Sequence, residues 1–406
     1  AINPRYLGFR TLKSKGPAAL PVVTSLLNHK NPYLAARAIW LLPHLGDPGV
    51  AKCRSLLTHQ DPQVVITAYR ALRRAKKNFL SSAGPLASHP DAGVRRDVAL
   101  SLRDLPARST APLFVELARL VDPSDKNAIE AIGLGAANQE DTIWKALKSD
   151  QVSGSPTSWS EKFTRLTWRL WPASAVPDLT VRALDAKNEL TPAQRAFAVE
   201  SIAFIDHPSS PQALFKLVTE NSSVKTEATT WLLKRGNGEW AKYGLRDQLK
   251  STGIYDPDKI EVVEVLVPQP AKKAKFTVAD VMALEGSAER GKTTAMRCIM
   301  CHQINDAGVD YGPPLKGWGL GQTPEIIAKS IVSPSADIAH GFDGSTVRLK
   351  DGRMIHGLIR MSGDPTIITS TGGVTQTIPG KLIEKSVQFR RSLMLSADQL
   401  GLSAQD

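Results

Sequence analysis

The chain has 406 residues, 42% of them apolar and 22% charged, which is enough for two or three domains that each bury a core of their own. Three cysteines exclude a disulfide scaffold, and no run of about 20 apolar residues is present that could cross a bilayer. The formal net charge is +12, yet from Phe276 onward 13 Lys plus Arg face 13 Asp plus Glu, so the excess, 38 against 26, lies before that point. A basic surface in the first two thirds could meet an acidic protein, a lipid headgroup or a nucleic acid, and charge alone does not choose among them. The opening AINPRYLGFR has no charged region followed by an apolar one, as expected of a chain whose signal peptide has been removed or of a piece of a longer polypeptide.

The first predicted elements recur. NPYLAARAIWLL (31–42), DPQVVITAYRAL (61–72), HPDAGVRRDVALSL (89–102) and DPSDKNAIEAI (122–132) follow one another at near-regular intervals, each a turn carrying proline that opens an amphipathic helix. Proline is tolerated in a first helical turn because its missing N–H would have had no intrahelical partner, and the Asn, Asp or His nearby can serve a turn or cap. The preceding ALPVVTSLLNH and VAKCRSLLTH place apolar residues at helical spacing. One such pair cannot bury its apolar face, so neighbours must stack. This pattern resembles a HEAT-type α-solenoid. The segments TSWSEKFTRLTWRLWP, TPAQRAFAVESIAFI, SPQALFKLVTEN and KTEATTWLLKRG still predict helices, which extends the solenoid over residues 1–250. Cys53, in AKCRSLL, is expected as a small buried apolar residue, and Trp159, Trp168 and Trp171 as solenoid core rather than an electron relay.

Residues 251–275 are expected to be a linker, since VPQPAKKAK suits an exposed connector better than packed structure. A second domain, 276–406, then begins. Its chemistry is concentrated in RCIMCHQI, where Cys298, Cys301 and His302 form a Cys-x-x-Cys-His motif. Two thiols about one helical turn apart can each form a thioether to a haem vinyl group, which sets the adjacent imidazole on one face of the porphyrin. Other chemistries compete for these residues. A redox dithiol normally follows a strand, whereas SAERGKTTAMRCIMCH predicts a helix running into the motif; a zinc site needs a second Cys/His pair, and His340 and His356 stand alone.

RGKTTAMRCIMCHQI resembles the first helix and haem-binding segment of a class I cytochrome c, and GPPLKGWG (312–319) resembles that family's Gly-Pro-x-Leu-x-Gly segment. The resemblance implies one covalent haem c, with His302 as the proximal iron ligand. It also implies that the carbonyl of Pro313 accepts from the other nitrogen of His302, and that Leu315 and Trp318 cover the haem edge. A methionine sulfur is the usual sixth ligand in such proteins. Met282, Met296 and Met300 lie before or inside the attachment segment, where geometry disfavours reaching the opposite face, which leaves Met354, Met361 and Met394.

After SPSADIAHGFDG the period changes from helical to alternating in STVRLKDGRMIHGLIRMSG and PTIITSTGGVTQTIPG. Asp351-Gly352 signals a hairpin and TSTGGVTQT a second turn, so a small antiparallel sheet is expected as an insertion at about 343–390. Met354 and Met361 fall on its strands, where a packing role is the simpler expectation.

The whole of 276–406 resembles the haem-binding C-terminal domain of large planctomycete and verrucomicrobial proteins, through RGK, CIMCH, GPPLKGWG, SIVSPSADIAHGF, LKDGRMIHGLI and SLMLSADQLGLSAQD. In that family a Ser-Leu-Met-Pro segment supplies the methionine, which implies Met394 as sixth ligand; Leu395 stands here where the family has proline. His356 and Met354 are the runners-up, His356 being expected more simply as a surface or cross-strand residue. Ser403 with Asp406 suggests the cap of a further helix, so the natural C-terminus is expected beyond this sequence.

The expected protein is mainly α, an electron carrier on a helical scaffold, with no catalytic acid-base or nucleophile constellation in its repeats. The resemblance implies a dehydrogenase as redox partner, either a separate subunit or a lost domain, and nothing here reads as the β-propeller that often precedes the repeats in that family. One alternative makes the chain the electron-exit module of a larger sugar or alcohol dehydrogenase. Another makes the solenoid a nucleic-acid binder with haem as sensor; c-type haem is assembled outside the cytoplasm, which argues against it and for a bacterial periplasmic or otherwise extracytoplasmic site.

Overall fold

In the computed structural model, which describes residues 2–220, 222–266, 275–304 and 307–406, helices start where a small polar side chain precedes the apolar periodicity. Asn31 accepts from the Tyr33 N–H at 2.9 Å, Asp61 from Gln63 at 2.8 Å, and Asp91 and Asp125 from Val94 and Ala128 at 3.0 Å. These caps open the helices Pro32–Leu41, Pro62–Arg74, Ala92–Ser101 and Lys126–Gly135. The periodicity does not reveal a second device at the same turns. His29, His59 and His89 each accept, through Nδ1, the backbone N–H two residues on at 3.0 Å, so the capping residue's own N–H is satisfied as well.

The capped helices stack in sequence as one layer, and Leu80–Ala87, Ala107–Arg119 and Glu140–Gln151 stack as the other, a two-layer α-solenoid. Leu42, Leu45, Leu72, Leu102, Phe114 and Ile132 are fully buried between them. Neighbouring repeats are also tied by Arg70–Asp97 at 2.7 Å, Arg96–Asp125 at 3.3 Å, Arg119–Asp150 at 2.5 Å and Lys148–Asp178. Cys53 is buried, and burial pushes its thiol up to about 12, as befits an inert core residue. Trp159 is core and Trp168 is half-buried. Trp171 departs from the expected core position: it ends the helix Glu161–Leu170 in a left-handed conformation and lies 42% exposed, stacked on Phe204.

The chain divides into two compact units, Ala1–Leu232 and Leu233–Asp406. The division falls inside helix Lys225–Gly236, earlier than the periodicity suggested, because the residues after it pack within the second unit. The expected linker 251–275 is accordingly not a uniform connector. Val262 is buried in the sheet's core, Val263 exchanges two hydrogen bonds with Gln376, Val265 pairs with Ile355, and Asp258 is held by Lys250 and Lys381. Its Pro- and Lys-rich part, 267–274, lies outside the described residues.

The sheet comprises β1 (Ser345–Leu349), β2 (Met354–Met361), β3 (Thr366–Thr369), β4 (Thr375–Ile378) and β5 (Ile383–Gln388), antiparallel throughout in the order β4-β3-β2-β1-β5. Alternation sets its buried face: Val347, Leu349, Ile355, Ile368 and Ile378 pack with Val262. Gly352 turns β1 into β2 at φ 92°, a conformation that favours glycine. The β2–β3 register shifts between Ile359 and Met361, a bulge centred on Arg360.

Candidate haem-attachment site

Ser287 caps the helix Ala288–Thr294, which tightens into the 3-10 turn Ala295–Met300. The N–H groups of Cys301 and His302 both donate to the Cys298 carbonyl, at 3.0 and 2.8 Å. This turn brings the two thiols about one helical turn apart, half-buried and unlinked. Burial pushes both thiols up, and Cys298 adds to the rise at Cys301. His302 follows directly and is 8% exposed.

The loop after the motif folds back onto it. Val309 donates to the Ile299 carbonyl at 3.0 Å, Gly312 to Cys301 at 2.6 Å and Leu315 to Gln303 at 2.9 Å. This sets the Pro313 carbonyl 2.7 Å from Nδ1 of His302. A carbonyl oxygen can only accept, so Nδ1 is the donor in this bond and Nε2 is the nitrogen left to meet a metal. Gly312 lies against the imidazole: a Cβ there would stand 2.5 Å from Cε1, so only glycine lets the ring and the loop sit this close. Leu315 and Trp318 are half-buried, and Leu320 at the next turn is 96% exposed.

The inserted sheet supports this loop, which the sequence did not signal. Arg360, at the bulge of β2, donates through Nη2 to the carbonyls of Asp310 at 3.2 Å and Tyr311 at 3.0 Å. Those carbonyls immediately precede Gly312 and Pro313, so the sheet fixes the segment that fixes His302.

Met394 is half-buried in the irregular stretch after β5, its N–H donated to Ser392 Oγ at 3.0 Å. Ser392 donates its N–H to Ser335 Oγ at 3.1 Å and Ala397 to the Ile331 carbonyl at 3.1 Å, so the backbone is anchored on both sides of the methionine. Arg297, one residue ahead of Cys298, reaches the carbonyls of Leu400 and Gly401 at 3.0 and 3.2 Å and ties that C-terminal stretch to the attachment turn. The runners-up have other occupations. His356 is a cross-strand partner of Thr346, whose Oγ1 lies 2.7 Å from its Nδ1, and burial followed by the charge of Arg391 lowers its pKa. The Met354 backbone, at the start of β2, accepts from the Val265 N–H at 3.1 Å and donates its own N–H to the Glu264 carboxylate at 3.1 Å, and the residue is 37% exposed. Ser403 and Asp406 do interact, the carboxylate accepting from the Ser403 N–H at 2.9 Å and hydroxyl at 2.8 Å.

These residues fit a haem. No side chain of Val278–Met282, Ala288–Thr294, Ala295–Met300 or Trp318–Leu320 is buried, and Met282, Leu284, Met296 and Met300 are exposed with Leu320. Exposed apolar side chains on elements without a core of their own are what a porphyrin would cover. Among the described residues no three His, Cys, Asp or Glu side chains gather where they could share a metal ion, which is not the donor set of a structural zinc site; a single oriented imidazole suits an iron whose remaining donors a porphyrin would largely supply.

A family profile described as Cytochrome c matches residues 288–356, and one described as HEAT repeats matches residues 20–83. A comparison with curated proteins returned no match. Among solved structures, two engineered proteins from the Northeast Structural Genomics Consortium align at 17% identity and a TM-score of 0.30; they cover 55% and 57% of this chain and 72% and 96% of their own, a likeness too slight to carry an argument.

Proposed function

We propose that this chain, in which HEAT repeats precede a C-terminal cytochrome c domain, is a monohaem electron carrier docked to its redox partner by the repeat scaffold. When bound, haem c supplies one-electron chemistry between Fe(III) and Fe(II). Cys298 and Cys301 would hold the haem through thioether bonds to its vinyl groups. His302 would bind the iron through Nε2, and its Nδ1–H···O bond to Pro313 would make the imidazole a stronger donor. Gly312 lets the ring stand against the loop, and Leu315 and Trp318 would cover the haem edge. Met394 would supply the sixth ligand, a thioether that would raise the reduction potential relative to a second imidazole.

The observation that carries this reading is the His302–Pro313 bond beside two unlinked thiols on one turn. A dithiol redox centre has no need of an imidazole oriented in this way. On the strength of the resemblance, the electron donor is a sugar or alcohol dehydrogenase, as a separate subunit or a further domain, and the site of action is extracytoplasmic. The test is a pyridine haemochrome spectrum after extraction with acidified acetone. Haem that stays with the polypeptide and gives a c-type reduced spectrum supports the proposal; a colourless polypeptide ends it.

A further inference from the structure

The positive charge is not spread over the repeats. Residues 1–78 hold 13 Lys plus Arg and only two acids, Asp47 and Asp61, whereas residues 79–275 hold 25 against 24. All thirteen cations are exposed, and among the described residues Arg70 alone of them is in an ion pair, with Asp97. Helix C-termini account for some of the placement, since Lys13, Lys15, Lys52, Arg54, Arg73 and Arg74 occupy last turns where the helix dipole favours cations. They do not account for the missing acids. Later repeats carry cations at the same ends and pair them, as Arg119 does with Asp150 and Lys148 with Asp178.

Successive helices also bring these charges together. Lys13, Lys77 and Arg74 surround His44, whose pKa is lowered by burial and then by those three cations, and Arg54 reaches across to the Lys77 carbonyl at 3.2 Å. Such crowding opposes folding by self-repulsion and is relieved by a polyanion. Beside the cations stand large exposed side chains: Tyr6, with the Arg10 guanidinium over its ring, then Leu7, Val22 and Tyr33.

We propose that residues 1–78 form a face that seats on a bilayer of acidic lipid. Six of the thirteen cations are lysine, a residue depleted in protein interfaces, and they recur from Lys13 to Lys77. Cations with tyrosine and aliphatic side chains among them match a headgroup layer, where long basic side chains reach phosphates and aromatic rings lie at the boundary.

The experiment is co-sedimentation of the full chain with vesicles of phosphatidylcholine containing a quarter phosphatidylglycerol, and with phosphatidylcholine alone. Partition onto the acidic vesicles, at least tenfold above the neutral ones and lost in high salt, is expected. The variant Lys13→Gln/Arg73→Gln/Arg74→Gln/Lys77→Gln should lose at least tenfold in partition, and Lys126→Gln/Lys187→Gln/Lys225→Gln, with far-UV circular dichroism unchanged in both, should lose almost none. Equal loss in the two variants overturns the assignment to this face. No partition of the wild-type chain, with salt-sensitive retention on immobilised polyglutamate instead, overturns the bilayer in favour of an acidic protein.

Discussion

The two units obtain their interiors in opposite ways. In the solenoid every stacked helix contributes apolar side chains to a continuous dry core, with Leu72, Leu102 and Phe114 fully covered. In the second unit the sheet has such a core, but the elements around Cys298 and His302 bury almost nothing except the imidazole, Tyr311 and a few small residues. One unit is held by its own side chains throughout; the other leaves the turn of Cys298, Cys301 and His302 with little core of its own beside the sheet. Sequence patterns suited to the first are therefore silent about half of the second, where motif chemistry is the informative signal.

The contrast is broken most severely by Cys298→Ala/Cys301→Ala. Covalent haem should be lost entirely, with hydrogen exchange rising through 276–343 and 389–402 while amides of the solenoid stay protected; loss of protection in both units would show that the solenoid depends on the haem. Phe114→Ala is the converse. It should cost about 3–5 kcal/mol in solenoid stability by chemical denaturation and leave the haem spectrum unchanged. Gly312→Ala sharpens the comparison at a single atom. The added Cβ must displace the imidazole or the loop, so an altered reduction potential is expected with little change in melting temperature. Arg360→Lys keeps the charge but cannot reach both carbonyls equally, and a smaller positive shift in potential should follow as the Pro313 bond to His302 loosens; the same shift from any neutral control substitution on β2 would refute it. The smallest effect concerns acid. Asp258 is held at about 2, below its ordinary 3.8, by hydrogen bonds from Lys250 and Lys381. Its contribution is complete above the ordinary value and is lost as pH falls through the folded one, so melting of the second unit should drop between pH 4 and 2, less so in Asp258→Asn.

Much of the architecture was legible. The turns at Asn31, Asp61, Asp91 and Asp125 announced the repeats because capping is local chemistry, and Asp351-Gly352 announced the hairpin because few sequences satisfy that turn. The motif residues were legible for the same reason, their chemistry being written in adjacent positions. What escaped depends on partners distant in sequence. Arg360 reads as an ordinary strand cation until the bulge directs it at Asp310 and Tyr311. Val262 and Val265 sit in a stretch whose prolines and lysines pointed to a connector, and only the sheet reveals their burial and pairing. His29 and His59 close helical segments in the sequence and His89 opens a turn, and none of the three shows by itself the acceptor role that their repetition expresses.

That packed stretch has a mechanical consequence. Val265 donates to the Met354 carbonyl and accepts from His356, alongside β2, and Val263 is doubly bonded to Gln376. A pull arriving along the backbone from residue 250 would load these bonds together, in shear, before any tension passed on toward Cys298. The sheet thus works as a strain relief, as a clamp does on a cable, and the turn that carries Cys298 and His302 is spared a force arriving along the chain from its N-terminal side.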